Sequence, residues 1–268
     1  MLLAIDVGNT NLVLALGSET DGGLAEAGYR IETASVTDAG SCEAAVRHVL
    51  GDLVGEIADA VIASVVPAVT PVLAEAVTRI TGTAPLVVGE AGVELGIGVN
   101  IDVPAQAGAD RLVNAVGAMA SHELPAILLD FGTATTLDLV AADGTYEGGI
   151  IAPGVSLSIE ALERAAAQLP RLALRPFGAD LPVLGKNTVA AMETGVFWGY
   201  VGMIEGLLRR LRDEQGGGKD IPAIATGGLA GLFAEHLSGI TAVDPDLTVR
   251  GLFEIYARNR GLRGDKGN

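Results

Sequence analysis

The chain has 268 residues, 49% of them hydrophobic, and a formal charge of −16 from 17 basic and 33 acidic residues. That length and apolar content allow a substantial core in one large domain or two small lobes, and exclude a disordered chain. The acidity, with Lys186, Lys219 and Lys266 the only lysines, argues against nucleic acid or an anionic membrane as the main partner, since both need a basic face.

In chain order, Leu2–Ile5 reads as a buried strand ending in Asp6, then a glycine turn, a second strand over Leu12–Leu16 and a third near Tyr29–Thr33. The polar stretch Ser18–Gly23 is the expected hairpin connection. Apolar residues at helical spacing predict a helix over Ser41–Val54, Ala60–Val66 reads as a buried parallel strand stopped by Pro67, Thr70–Thr81 as a helix, and Pro85–Gly89 as a short strand. Leu112, Val113, Val116 and Met119 form the apolar face of a helix after Gly108. Strands over Ala126–Asp130 and Thr136–Ala141 flank a second glycine turn, with Asp143-Gly144 as the next hairpin connection. A helix is expected over Ser156–Leu169, stopped by Pro170, and one long amphipathic helix from Val189 to Leu211. The glycine-rich stretch Arg212–Asp220 is the expected flexible loop, Ile221–Ala225 a further apolar run, and Leu252–Arg260 a terminal helix. Strand and helix alternation predicts an α/β layer fold.

Cys42 is the single cysteine, so no disulfide framework or thiolate cluster is expected, and His48, His122 and His236 lack ligand spacing. The first apolar run has no basic flank and is interrupted by Asp6, and later ones break well short of bilayer length, so a cytoplasmic location is expected.

One pattern occurs twice: Asp6-Val7-Gly8-Asn9-Thr10-Asn11, and Asp130-Phe131-Gly132-Thr133-Ala134-Thr135-Thr136. In each, an acidic residue ends a buried strand and a glycine turn follows, whose amides and side-chain donors can face an anion. An ordinary hairpin turn is the plainer reading of one copy. Two copies in facing lobes suit a nucleotide polyphosphate, with the aspartates near its metal ion. Thr226-Gly227-Gly228-Leu229 supplies a third turn, suited to the adenosine. Gly108-Ala109-Asp110-Arg111 puts a carboxylate and a guanidinium at a helix start, where the dipole favours an anion. A phosphoryl-transfer enzyme needs one such carboxylate to accept the proton of the attacking hydroxyl; the alternative is an Asp110–Arg111 pair that only steadies the first turn. Asn187 is a good N-cap for the long helix. On that helix Gly195, Gly199, Gly202 and Gly206 form a stripe that suits close helix packing or a subunit interface.

The three turns in this order resemble the sugar-kinase, Hsp70 and actin superfamily. That resemblance implies an α/β, two-lobed actin-like ATPase (ribonuclease H-like) fold with mixed sheets flanked by helices. The expected lobes span residues 1–121 and 122–268, and the terminal helix can pack back on the first. Within that superfamily the chain resembles the type III pantothenate kinases. The matching segments are Asp6–Asn11, Ala63–Pro67, Gly108–Arg111, Asp130–Thr135, Gly148–Gly154, Gln168–Pro170, Gly185–Thr188, Ala225–Gly228 and Leu247-Thr248. The resemblance implies ATP-dependent phosphorylation of pantothenate, with Asp110 as catalytic base. It implies Asp6, Val7, Gly8, Asn9, Thr10, Asn11, Leu12, Val13 and Thr133 around ATP, carried with Mg²⁺. Gly108, Ala109, Asp110, Arg111 and Thr188 would surround pantothenate, Asp130 would hold a monovalent cation (potassium or ammonium), and the protein would be a homodimer. Ile101 stands where many members have a tyrosine, so that substrate contact is expected to be apolar. The competing expectations are another small-molecule kinase of the superfamily and a regulatory accessory factor with the kinase fold.

Overall fold

The computed structural model describes residues 1–18, 24–165, 170–172, 182–215 and 220–263. The chain runs β1 (Leu2–Val7), β2 (Asn11–Gly17), β3 (Leu24–Glu32), α1 (Ala39–Leu50), β4 (Asp59–Ser64), α2 (Thr70–Thr81), β5 (Leu86–Val87) and α3 (Ala109–Ser121). It continues with β6 (Ala126–Phe131), β7 (Ala134–Val140), β8 (Tyr146–Pro153), α4 (Val155–Ala165), α5 (Thr188–Gln215), β9 (Ala223–Thr226), α6 (Ala230–Phe233), β10 (Ala242–Val243) and α7 (Leu247–Arg263).

These elements form two five-stranded sheets, ordered β3-β2-β1-β4-β5 and β10-β9-β6-β7-β8. In each, the central strand pairs antiparallel with the strand after it and parallel with the one reached through a crossover. This is the mixed-sheet, helix-flanked, actin-like architecture expected from the repeated turn. The chain divides into two compact units: residues 1–124, 141–148 and 246–268, and residues 125–140 and 149–245.

In the first unit, alternation sorts the β1 side chains to two cores. Leu3, Ile5 and Val7 pack with Cys42 and Val46 of α1 and Leu73 and Val77 of α2. Leu2 and Ala4 pack with Val113 and Val116 of α3 and Leu252, Phe253 and Tyr256 of α7. Period-two alternation therefore puts Asp6 on the face that α3 and α7 cover. In the second unit Ile127, Leu129 and Phe131 pack with Val155 and Ile159 of α4 and with Phe197, Tyr200 and Ile204 of α5. Asp130 points to the opposite face.

Several boundaries differ from the sequence reading for local reasons. Helix α1 stops at Leu50 because Gly51 takes φ 55°, and a 3₁₀ stretch, Gly51–Glu56, completes the segment read as helix. Helix α7 begins at Leu247, five residues before the expected start. Gly251 sits inside this helix and faces Val113 so closely that a Cβ would overlap the Val113 carbonyl. Asn187 caps α5 as expected, its Oδ1 accepting from the Ala190 amide at 2.9 Å. Gly144 at φ 86° makes the Asp143-Gly144 connection. Glu19–Gly23 of the expected hairpin loop, Ala166–Leu169 of the expected helix and of the matching segment, and Gly216–Lys219 of the glycine-rich loop lie outside the described residues.

Candidate functional site

The first turn is built by its own backbone and by one residue the sequence reading passed over. The Gly8 amide donates to the Asn11 carbonyl at 3.0 Å. Thr33, buried just after β3, donates its hydroxyl to the Gly8 carbonyl at 2.7 Å and its amide to the Thr10 carbonyl at 2.9 Å. Those bonds turn the side chains of Asn9 and Thr10 outward, and both are exposed. Val7 and Leu12 are fully buried in the core, so they can meet a ligand only through their main chain. Asp6 and Asn11 are half-buried, as is Val13.

The second turn is one residue shorter: Asp130 pairs with Thr136, six residues on, whereas Asp6 pairs with Val13, seven on. Here the Gly132 amide donates to the Ala134 carbonyl at 3.1 Å, and Thr133 stands exposed at the tip. Two further segments close on this turn. A Cβ at Gly154, just before α4, would overlap the Thr133 carbonyl, and a Cβ at Gly227 would overlap Asp130 Oδ1. Gly227 also sits at φ 89°, so the position excludes a side chain on two grounds. The third glycine turn therefore lies directly against the Asp130 carboxylate. Tyr200 of α5 feels the Asp130 charge. Burial pushes that phenol up to about 12, the Thr135 hydrogen bond opposes the shift, and the Asp130 charge adds to it.

The donor set at Asp130 suits a cation. The carboxylate stands one residue from the end of β6, paired with Thr136 and Thr226, whose hydroxyls are buried and have no hydrogen-bond partner among the described residues.

Asp110 and Arg111 sit in the first turn of α3, which Gly108 caps with extended backbone. The Asp110 carboxylate folds back over that turn. Its Oδ1 accepts from the Arg111 amide at 2.8 Å and occupies the space a Cβ on Gly108 would need. The Arg111 guanidinium carbon lies 5.7 Å from the centre of the Tyr146 ring, the largest fully buried side chain among the described residues. Tyr146 is itself tied to the segment before α3. Its amide donates to the Gly98 carbonyl and its carbonyl accepts from the Asn100 amide, each at 2.9 Å. Ile101 follows, its Cγ2 3.2 Å from where a Cβ of Gly148 would stand. The structure thus gathers Ile101, Arg111 and Tyr146 in one neighbourhood of the first unit. Tyr146 was missed because its role comes from a pairing between strand segments nearly fifty residues apart.

Helix α7 holds α3 in place. Gly117 and Gly251 let the two helices touch backbone to backbone, and Thr248 donates to Asn114 Oδ1 at 2.6 Å. Asn259 clamps the preceding segment, accepting from the Glu94 amide and donating to the Glu94 carbonyl, both at 2.8 Å.

Thr188 lies in the second unit, at the start of α5. It lines a groove of about 740 Å³ with Ser158 and Leu162 of α4 and Lys186, Met192 and Val196. The structure brings Asp130 and Thr133 together with Gly154 and Thr226–Gly227 in that unit. Asp6–Val13, Ile101 and Gly108–Arg111 lie in the first unit.

The glycine stripe on α5 is not explained by packing among the described residues. A Cβ at Gly195, Gly199 or Gly202 would meet nothing within 4 Å, and all three are exposed. Among the described residues no cluster of three or more His, Cys, Asp or Glu side chains could hold a metal ion, and no helix is long and apolar enough to cross a membrane.

Residues 2–210 match the family model for type III pantothenate kinase. A type III pantothenate kinase of Paramagnetospirillum magneticum is 49% identical over 263 residues, covering 97% of this chain and 98% of that protein. One from Caulobacter vibrioides is 48% identical over the same shares of the two chains. Among solved structures, a Campylobacter jejuni protein provisionally described as a Baf family transcriptional activator superposes with a TM-score of 0.59. It is 16% identical, with 97% of this chain and 99% of that one covered. A Porphyromonas gingivalis protein provisionally described as an N-acetylglucosamine kinase superposes with a TM-score of 0.53 at the same identity, covering 97% and 100%.

Proposed function

The chain belongs to the type III pantothenate kinase family, and on that premise we propose that it transfers the γ-phosphoryl group of ATP to pantothenate, the first step of coenzyme A synthesis. The observation that carries this reading is Gly108–Arg111. It sets a carboxylate and a guanidinium at one helix start, in a chain that also has two Asp–Gly phosphate-type turns.

In this reading the amides and side chains of Gly8–Asn11, with the main chain of Val7 and Leu12, hold ATP together with Asp6, Val13 and Thr133. Arg111 meets the substrate carboxylate, Gly108, Ala109, Ile101 and Thr188 shape the rest of its site, and Asp110 accepts the proton of the attacking hydroxyl. The new oxygen–phosphorus bond forms as the bridge to the β-phosphate breaks, and ADP leaves. Mg²⁺ and a monovalent cation, potassium or ammonium, supply charge compensation when bound, the latter at Asp130. That need is acute in a chain of charge −16.

We further propose a cytoplasmic homodimer that uses neither nucleic acid nor membrane. The open glycine stripe of α5 supports self-association, as do two apolar side chains in the segment before α5: Val183 and Leu184 are 75% and 77% exposed. The readings as another small-molecule kinase or as a regulatory accessory factor are not favoured, because the kinase relatives match over nearly the whole chain. Mass spectrometry of reactions with a panel of pantothenate, pantetheine and N-acetylhexosamines tests the substrate. Phosphopantothenate as the main product supports the assignment, and a phosphorylated sugar overturns it.

A further inference from the structure

Asp6 and Asp130 occupy the same place in two sheets of the same strand order, so each serves as a control for the other. Both are the fifth residue of a central six-residue strand. Asp6 is paired with Val13 on the antiparallel neighbour and Ala63 on the parallel one. Asp130 is paired with Thr136 and Thr226 at the equivalent positions. Directly paired residues share a face, with Cβ atoms about 5 Å apart. One carboxylate is therefore flanked by hydrocarbon on both sides, the other by two hydroxyls.

Those hydroxyls are anomalous within the protein itself. Thr136 is 9% exposed and Thr226 1%, and neither Oγ1 has a hydrogen-bond partner among the described residues. A buried hydroxyl with no partner is costly. Val13 and Ala63 show that apolar residues fit the equivalent positions without disturbing the sheet. Folding alone therefore does not call for hydroxyls here. What the pair adds is two neutral oxygen donors on either side of a single negative charge, with the carboxylate held against the bare Gly227.

Resting on the cation reading of Asp130 given above, we propose that Thr136 and Thr226 are further ligands of that cation and that they select a large monovalent ion. One carboxylate with neutral hydroxyls balances one positive charge. Magnesium instead keeps much of its water and is held by carboxylates and phosphates in a tight octahedron.

The test uses the full-length protein and the variants Thr136→Val, Thr226→Val and Thr226→Ser. Melting temperature is measured in potassium chloride and in tetramethylammonium chloride at equal ionic strength, and thallium(I) binding is followed by calorimetry. The wild type should melt higher in potassium. Both valine variants should melt no lower than wild type without potassium, lose the potassium-dependent rise, and bind thallium at least tenfold more weakly. Thr226→Ser should keep both responses. Valine variants that keep the potassium rise, or that melt lower without potassium, overturn the assignment of the hydroxyls while leaving Asp130 in place. A wild type with neither response removes the Asp130 reading, and the hydroxyl ligands with it.

Discussion

The guanidinium of Arg111 stacks over the ring of Tyr146, 5.7 Å from its centre, and the same ring residue is bonded through its backbone to Gly98 and Asn100. Tyr146 therefore fixes both the cation and the segment that leads to Ile101. A ring face steadies a guanidinium by about 0.5–2 kcal/mol, more where water is excluded. Tyr146→Leu should raise the KM for pantothenate about three- to thirtyfold with little change for ATP, while Tyr146→Phe stays near wild type. Steady-state kinetics with each substrate varied in turn check this, and an equal loss for both substrates would show a general folding defect.

Asp110→Asn should lower kcat by about 10²–10⁴-fold, the usual cost of losing a general base, with the fold and ATP affinity kept. The fold should survive because the new amide oxygen can still accept from the Arg111 amide. More than half of wild-type activity in this variant would remove Asp110 from the reaction.

Thr133 is exposed at the tip of its turn, so Thr133→Val deletes a hydroxyl without disturbing the core. ATP binding by calorimetry should weaken about tenfold, roughly 1.4 kcal/mol, a typical worth for a hydrogen bond to a charged group. Pantothenate binding should be unchanged; an equal loss for both ligands would take this turn away from phosphate.

Glycines on two helices should respond oppositely to alanine. At Gly251 a Cβ overlaps the Val113 carbonyl, so overpacking of about 1–3 kcal/mol outweighs the helix-propensity gain and the melting temperature falls. At Gly199 a Cβ meets nothing, so alanine gains up to about 1 kcal/mol of propensity within one chain. A larger Gly199→Leu change should split the proposed dimer, read by analytical ultracentrifugation at micromolar concentration. A wild type that sediments as a monomer refutes the interface.

Much of the fold was legible because it rests on local patterns. The apolar runs at Leu2–Ile5 and Ala126–Leu129, each ended by an aspartate and a glycine turn, fixed both central strands, and Thr70–Thr81 matches the observed helix, with Pro71 in its first turn and Gly82 as its C-cap. What was not legible depends on distant pairing. Tyr146, Thr33 and the hydroxyls beside Asp130 are ordinary in sequence and acquire a role only from the register of strands far apart in the chain. The start of α7 was misjudged for the same reason. The turn from Leu247 to Gly251 is helical where α7 packs on α3, with Gly251 against the Val113 carbonyl.

Cys42 offers a check on the first core. Burial pushes its thiol up to about 11, with the Asp38 charge adding to the shift. A raised value in the folded state gives stability that is complete below about pH 9 and is lost as pH rises toward 11, since the unfolded thiol ionises first. Chemical denaturation across that range should show this decline, flatter in Cys42→Ala. Rapid labelling of the native thiol at pH 8 would contradict the burial.

The most direct test of pantothenate phosphorylation with Asp110 as base is coupled ADP release from purified protein, with ATP, magnesium and potassium at saturation and pantothenate added last. ADP should appear only after pantothenate is added, in equal amount to phosphopantothenate, and Asp110→Asn should slow it by about 10²–10⁴-fold. ADP release that ignores pantothenate, or that keeps more than half its rate in the variant, would contradict the account.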